Sequence, residues 1–183
     1  ESWLEEMLQL CQQKDVGMVG AKLYYPDDTI QHAGVVVGLG GVAAHVLCKL
    51  PRDAEGYMGR LRCVQEISAV TAACMMVKTS VFKAVGGFDE ELKVAFNDID
   101  LCMKVRKYGV KIVFTPYAEL YHYESKSRGM EDTPEKQLRF SREVNCFRRK
   151  WERELLKGDP YYNPNLTLNN TDCSLRKQEK NGD

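Results

Sequence analysis

The chain carries no net charge, since its 26 lysines and arginines are matched by 26 aspartates and glutamates. No overall field therefore gathers nucleic acid. No Cys-x-x-Cys occurs among the seven cysteines, Cys11, Cys48, Cys63, Cys74, Cys102, Cys146 and Cys173. An odd set scattered through apolar surroundings argues against a disulfide or zinc framework and for reduced core thiols in a cytoplasmic protein. There is no Gly-x-Gly-x-x-Gly: the run Gly38-Leu39-Gly40-Gly41 opens no convincing helix, which disfavours a nicotinamide-dependent dehydrogenase. No signal-peptide pattern is visible within these residues. The longest apolar run, 35–47, is broken by Gly38, Gly40, Gly41 and His45 and is too short to span a bilayer. The chain starts on Glu1, not on methionine, and enters a helical pattern at once, as a fragment of a longer polypeptide would.

What is present suits one soluble core: 183 residues, 44% hydrophobic and 28% charged. Ser2 with Glu5 forms a capping-box pattern that opens a helix over 2–14. Residues 16–25 read as a buried strand, 30–38 as a second, and 67–77, the most apolar, as a central one. A short helix over 79–85 closes at Gly86-Gly87, and strands are expected over 110–115 and 118–123, separated by Pro116. Thr133-Pro134 opens a long helix with Leu138, Val144, Phe147, Trp151 and Leu155 on its apolar side. Strands and helices alternate, which predicts an α/β fold, a mixed sheet flanked by helices. A domain over 1–157 and an extended tail over 158–183, disordered at its end, complete the expected organisation.

The densest chemistry lies in Asp89, Glu90, Glu91, Asp98 and Asp100, five carboxylates within twelve residues. Asn97 stands where it can cap a helix that runs to Tyr108 and stops at Gly109. Two readings fit Asp98: an acid that complements the helix N-terminus, or a general base fixed on a rigid element. Spacing alone does not separate them.

Several segments, in order, resemble the inverting GT-A glycosyltransferases of the large family two. They include Val19-Gly20-Ala21-Lys22-Leu23, Gln31-His32-Ala33-Gly34, Ser68-Ala69-Val70-Thr71-Ala72, Gly86-Gly87-Phe88-Asp89-Glu90, Phe96-Asn97-Asp98-Ile99-Asp100 and Tyr121-His122-Tyr123. The resemblance runs from Trp3 to about Leu168. It implies the C-terminal, acceptor-side half of a GT-A fold that transfers sugar from a nucleotide-sugar donor to a saccharide or lipid-linked acceptor. Asp98 takes the general base's place; the family's usual Glu-Asp pair is Asn97-Asp98 here, which puts the role of position 97 in doubt.

The resemblance further implies Mn²⁺ or Mg²⁺ on the donor diphosphate, with His122 as a ligand and the usual Asp-x-Asp upstream of Glu1. Asp98-Ile99-Asp100 also spells Asp-x-Asp, but it enters a helix instead of following an apolar strand. Asn97, Asp100, Gln31 and His32 are expected on the acceptor side, and Ser125, Ser127 and Arg128 in a lid over the diphosphate. His45 is expected in the core. The basic residues from Arg139 to Arg153 are a solvated face, or a contact with the inner face of an anionic membrane. A fragment of this kind is expected to be nearly inactive, and to self-associate through an exposed sheet edge or cover that edge with its own tail. The reading of a different class is a binding domain that keeps the fold without the chemistry.

Overall fold

A computed structural model describes residues 2–123 and 133–177. Its frame is two long neighbouring strands, β1 (Val16–Tyr24) and β7 (Lys111–Tyr121), which run parallel. β1 is buried along its whole length, as a strand covered on both faces must be. Its other edge takes β6 (Met75–Val77) and β2 (Ile30–His32), both antiparallel. β5 (Gln65–Glu66) pairs antiparallel with β7. The sheet is therefore mixed, in the order β2-β1-β7-β5 with β6 beside β1. β3 (Val35–Val37) and β4 (Ala43–His45) form a separate antiparallel hairpin.

Helices cover both faces of this sheet. α1 (Trp3–Cys11) places Met7 and Cys11 over Val19, Ala21, Leu23, Val113 and Ala118. α3 (Asn97–Tyr108) lays Leu101, Cys102 and Val105 with Met18, Ile112 and Phe114 in the larger core, which Phe147 of α4 (Pro134–Lys150) joins. Each large apolar side chain fully buried in this way contributes roughly 1.5–3 kcal/mol. Gly20 permits a close crossing, because a Cβ there would stand 2.3 Å from Val70 Cγ1. α2 (Thr79–Ala84) and α5 (Glu152–Lys157) are short.

Several local expectations give way to tertiary context. The stretch 67–77 is not one central strand: Ala69 accepts from Val35 N, Thr71 caps a 3-10 turn over Ala72–Cys74, and only Met75–Val77 joins the sheet. The Thr71 hydroxyl offers the backbone a local partner that competes with the ladder. Pro116 does not end β7, because it falls in a bulge where the pairing moves from Ala21–Thr115 to Lys22–Glu119. Ser2 makes no side-chain cap bond, and Asn97 is the first residue of α3; the cap position is Phe96, in the left-handed region at φ 62°. Gly109, at φ 95°, does end α3. The long helix breaks at Trp151, where α5 begins.

Among the described residues from Gly158 to Lys177 there is no helix or ladder strand, yet this segment packs back onto the β3–β4 region. Asp159 Oδ2 accepts from Val37 N at 2.8 Å, Leu47 N donates to Thr171 O, and Tyr162, Leu166 and Cys173 are buried.

Candidate functional site

Because β1 and β7 are parallel, their carboxyl ends share one rim, the usual place for ligands in an α/β sheet. The connection from α3 to β7 is only Gly109 and Val110, so α3 runs back beside β7 and its N-terminus points toward that rim. Asp98 stands in its first turn, half-buried. Its Oδ2 accepts from Ala72 N at 3.0 Å and its Oδ1 from Ile99 N at 2.9 Å, while Asn97 Oδ1 accepts the amide of Asp98 itself. An ionised carboxylate has about four lone-pair sites, so this arrangement orients the group and leaves acceptor capacity toward the outside. Ala72 and Ala73 are exposed beside it.

His122 follows β7, half-buried, with its amide donating to Tyr24 O at 3.0 Å. Its Nδ1 lies 2.8 Å from Gln31 Oε1. An amide oxygen only accepts, so Nδ1 carries the proton and the Nε2 lone pair is left free, the tautomer that a metal ligand needs. Gln31 is itself buried, and its amide nitrogen donates back to His122 O at 3.4 Å. Gln31 thus sets the orientation of His122. His122 fits a divalent cation as one ligand; among the described residues no group of three or more His, Cys, Asp or Glu side chains is placed to hold one.

His32 is fully buried and cannot touch an acceptor directly. Its Nε2 accepts from Thr71 N at 3.5 Å, which puts its proton on Nδ1, 3.0 Å from Nδ1 of His45. Burial, with the second imidazole adding to it, holds the His32 pKa well below the ordinary histidine value. A chain of contacts then joins the two halves of the rim: Asp98 to Ala72, Thr71 to His32, and Gln31, next to His32, to His122. His45 is half-buried, as the partner of His32 and not in the deep core.

Asp100, also expected on the acceptor side, is turned the other way. It is fully buried, with Oδ1 accepting from Trp151 Nε1 at 2.8 Å and facing Lys150 Nζ at 2.8 Å. Oδ2 faces Lys104 Nζ at 3.3 Å as an ion pair without an aligned hydrogen bond. Its role is to tie α3 to α4 and the start of α5. A metal bridging Asp98 and Asp100 would have to draw Asp100 out of this enclosure.

Ser125, Ser127 and Arg128 lie outside the described residues. The basic residues of α4 and α5 do not form one uniform face: Arg148 Nε donates to Gly41 O and Lys150 pairs with Asp89 and Asp100. Among the described residues no helix is long and apolar enough to cross a membrane. A cavity of about 610 Å³ opens at the far end of α3, among Met103, Arg106, Lys107 and Trp151. Asp98 is not among its lining residues, which begin on α3 at Met103. Two contributors to the site escaped the sequence reading. The Ala72 amide has no side-chain signature, whereas Glu143 sits on the apolar stripe of α4 between Phe140 and Phe147, a carboxylate at a core position that demands dedicated partners.

Comparison with known proteins bears on the family of the chain. A profile of the family described as "Glycosyltransferase like family 2" matches residues 1–143. An uncharacterised protein of Sinorhizobium fredii is 58% identical over 174 residues, 94% of this chain and 19% of that protein. The O-antigen biosynthesis protein RfbC of Myxococcus xanthus is 39% identical over 183 residues, 100% of this chain and 14% of that protein. An N-acetylglucosaminyl-diphospho-decaprenol L-rhamnosyltransferase of Mycobacterium tuberculosis is 36% identical over 62 residues, 34% of this chain and 20% of that one. The chain thus spans a fifth or less of the length of the curated relatives it matches.

Proposed function

The chain belongs to the glycosyltransferase family 2, and from that premise we propose that it is the acceptor-side half of an inverting sugar transferase in which Asp98 is the general base. The observation that carries this reading is the Asp98 carboxylate: half-buried, on the first turn of a helix, oriented by Ala72 N and Ile99 N, with acceptor capacity left over. A base must be held near the hydroxyl it deprotonates and keep a lone pair for that proton. Asp98 does both: a sugar hydroxyl donates to a free lone pair, its oxygen attacks the anomeric carbon as the bond from that carbon to the donor's diphosphate oxygen breaks, and the proton passes to the carboxylate. Asn97 fixes the Asp98 amide and so the turn, and the rim beside it is open to a saccharide.

The donor in this reading is a nucleotide sugar, the family's usual substrate class. His122, with its tautomer fixed by Gln31, would hold Mn²⁺ or Mg²⁺ together with acids outside the described residues. When bound, such a cation neutralises charge on the departing diphosphate. Ser125, Ser127 and Arg128, just past His122 in sequence, are the segment that would close over that diphosphate. The names of the relatives support a saccharide or lipid-linked acceptor in bacterial surface-polysaccharide assembly, and the cytoplasmic side of the membrane is where this reading places the reaction. Residues 1–157 are then the partial transferase domain, and residues 158–177, expected as an extended tail, pack onto its core through Tyr162, Leu166 and Cys173. In this reading the nucleotide-binding half belongs to the longer protein, and the chain by itself should turn over almost nothing.

Kinetics of Asp98→Asn in the full-length protein test the proposal. With a panel of nucleotide sugars and oligosaccharide acceptors, kcat should fall by ~10²–10⁴-fold while donor affinity is retained. Near-normal turnover would remove Asp98 as the base and leave the reading of a binding domain. Calorimetric titration with oligosaccharide, on the chain and on the full-length protein, then asks whether binding survives without chemistry.

A further inference from the structure

Asp98 is only as well placed as the loop that delivers it, and that loop, residues 88–96, has no regular structure beyond turns. Loops are ordinarily the least rigid parts of a fold, yet α4 grips this one repeatedly. Glu143, 3% exposed, receives the two consecutive amides that precede Phe96: Val94 N donates to Oε1 at 3.1 Å and Ala95 N to Oε2 at 2.9 Å. Phe96 then takes a left-handed conformation that a bulky residue rarely adopts. Its ring is held against Phe140 and Phe147 of the same helix, with centroids 5.8 and 5.4 Å away. Phe96 O accepts Asp100 N at 2.8 Å, the bond that starts α3. Further back, Asp89 pairs with Lys150 and Glu91 accepts from Cys146.

We infer that Glu143 is a positioning residue for the reactive carboxylate: by taking the Val94 and Ala95 amides it fixes the turn through Phe96 and hence the direction in which Asp98 leaves α3. This rests on the reading of Asp98 as the base. A carboxylate that receives adjacent backbone amides with both oxygens sets the loop in two directions at once, whereas a single bond leaves it free to pivot. Arg139 Nε, 3.8 Å from Oε2, keeps the buried charge from standing alone.

The test is a double-mutant cycle in the full-length enzyme, with a spectroscopic readout on this chain beside it. Glu143→Gln keeps the size but turns an NH₂ group toward one of the amides. It should lower kcat about tenfold with the donor KM unchanged within about twofold, since small misplacements of a reacting group cost rate before binding. In an Asp98→Asn background it should cost nothing more. In this chain it should accelerate hydrogen exchange at Val94 and Ala95 about tenfold or more. It should also move the carboxyl-carbon NMR signal of Asp98 while that of Asp15, at the opposite, amino end of β1 and β7, stays in place. An equal loss of kcat in both backgrounds, or an unmoved Asp98 signal, overturns the inference and leaves Glu143 a structural residue. Should Asp98→Asn turn over normally, the general-base reading falls by itself, and the carbon signal and exchange rates still decide the role of Glu143. If Glu143→Gln does not fold, Glu143→Asp, which keeps the charge on a shorter stem, is read in the same way.

Discussion

Asp98 and Asp100 stand two residues apart on one helical turn, and the protein treats them as opposites. Asp98 faces the rim, half-buried, with backbone amides as its only protein partners among the hydrogen bonds of the described residues. Asp100 faces α4 and α5, enclosed by Trp151, Lys150 and Lys104. Residues i and i+2 of a helix point roughly 200° apart, so one residue type serves two ends: a charge kept available and a charge kept in place. The difference shows that a carboxylate at a helix N-terminus owes its function to what covers it and not to the helix.

The sharpest way to break this comparison is to remove each charge in turn. Asp98→Asn should reduce turnover of the full-length enzyme by orders of magnitude yet shift stability by only about 1 kcal/mol, the scale of a hydrogen bond or two. Equal loss of both would mean that Asp98 too is structural. Asp100→Ala should do the reverse and destabilise by about 3 kcal/mol in urea unfolding. That is the low end for a broken buried pair, because Lys150 keeps Asp89 and Lys104 can reach water.

A smaller effect separates the rim from the core by pH. The folded His32 pKa is depressed, by burial first and by His45 second, while in the unfolded chain it lies near 6.5. Below that value the unfolded chain binds a proton that the native state refuses. Stability is therefore full above about pH 6.5 and falls as pH drops from there toward the folded value. Melting temperatures from pH 8 to 5 should show this slope, and His32→Gln should flatten it. The smallest effect concerns Arg52, which binds Asp28, Glu119 and Tyr121 at the outer end of β1 and β7 but is 41% exposed. Arg52→Ala should cost no more than about 1 kcal/mol and lose most of that effect in salt.

Much of the frame was legible because it rests on local patterns. The buried run 16–24 and the helix ending at Gly109 are periodicities that tertiary packing preserved, whereas on α4 Phe147 is buried as expected but Leu138 is exposed and Glu143 takes a buried place. Legibility failed where long-range contacts outweighed local preference. Thr71 broke the most apolar segment into a turn whose Ala72 amide now holds Asp98, and Pro116 survived inside β7 because a bulge removes the need for its missing amide. His32 and Asp100 carried the right chemistry for a site, and packing enclosed them both.

By itself, then, the sequence determined the kind of protein this is: an ordered set of short motifs and hydrophobic periods, encoded residue by residue, that matches the glycosyltransferase family 2. Which charges face a ligand was decided by the tertiary structure alone. Exposure depends on residues distant in the chain, Trp151 and Lys150 over Asp100 and Ala72 beside Asp98, and no local pattern records how far apart in space such residues will fall.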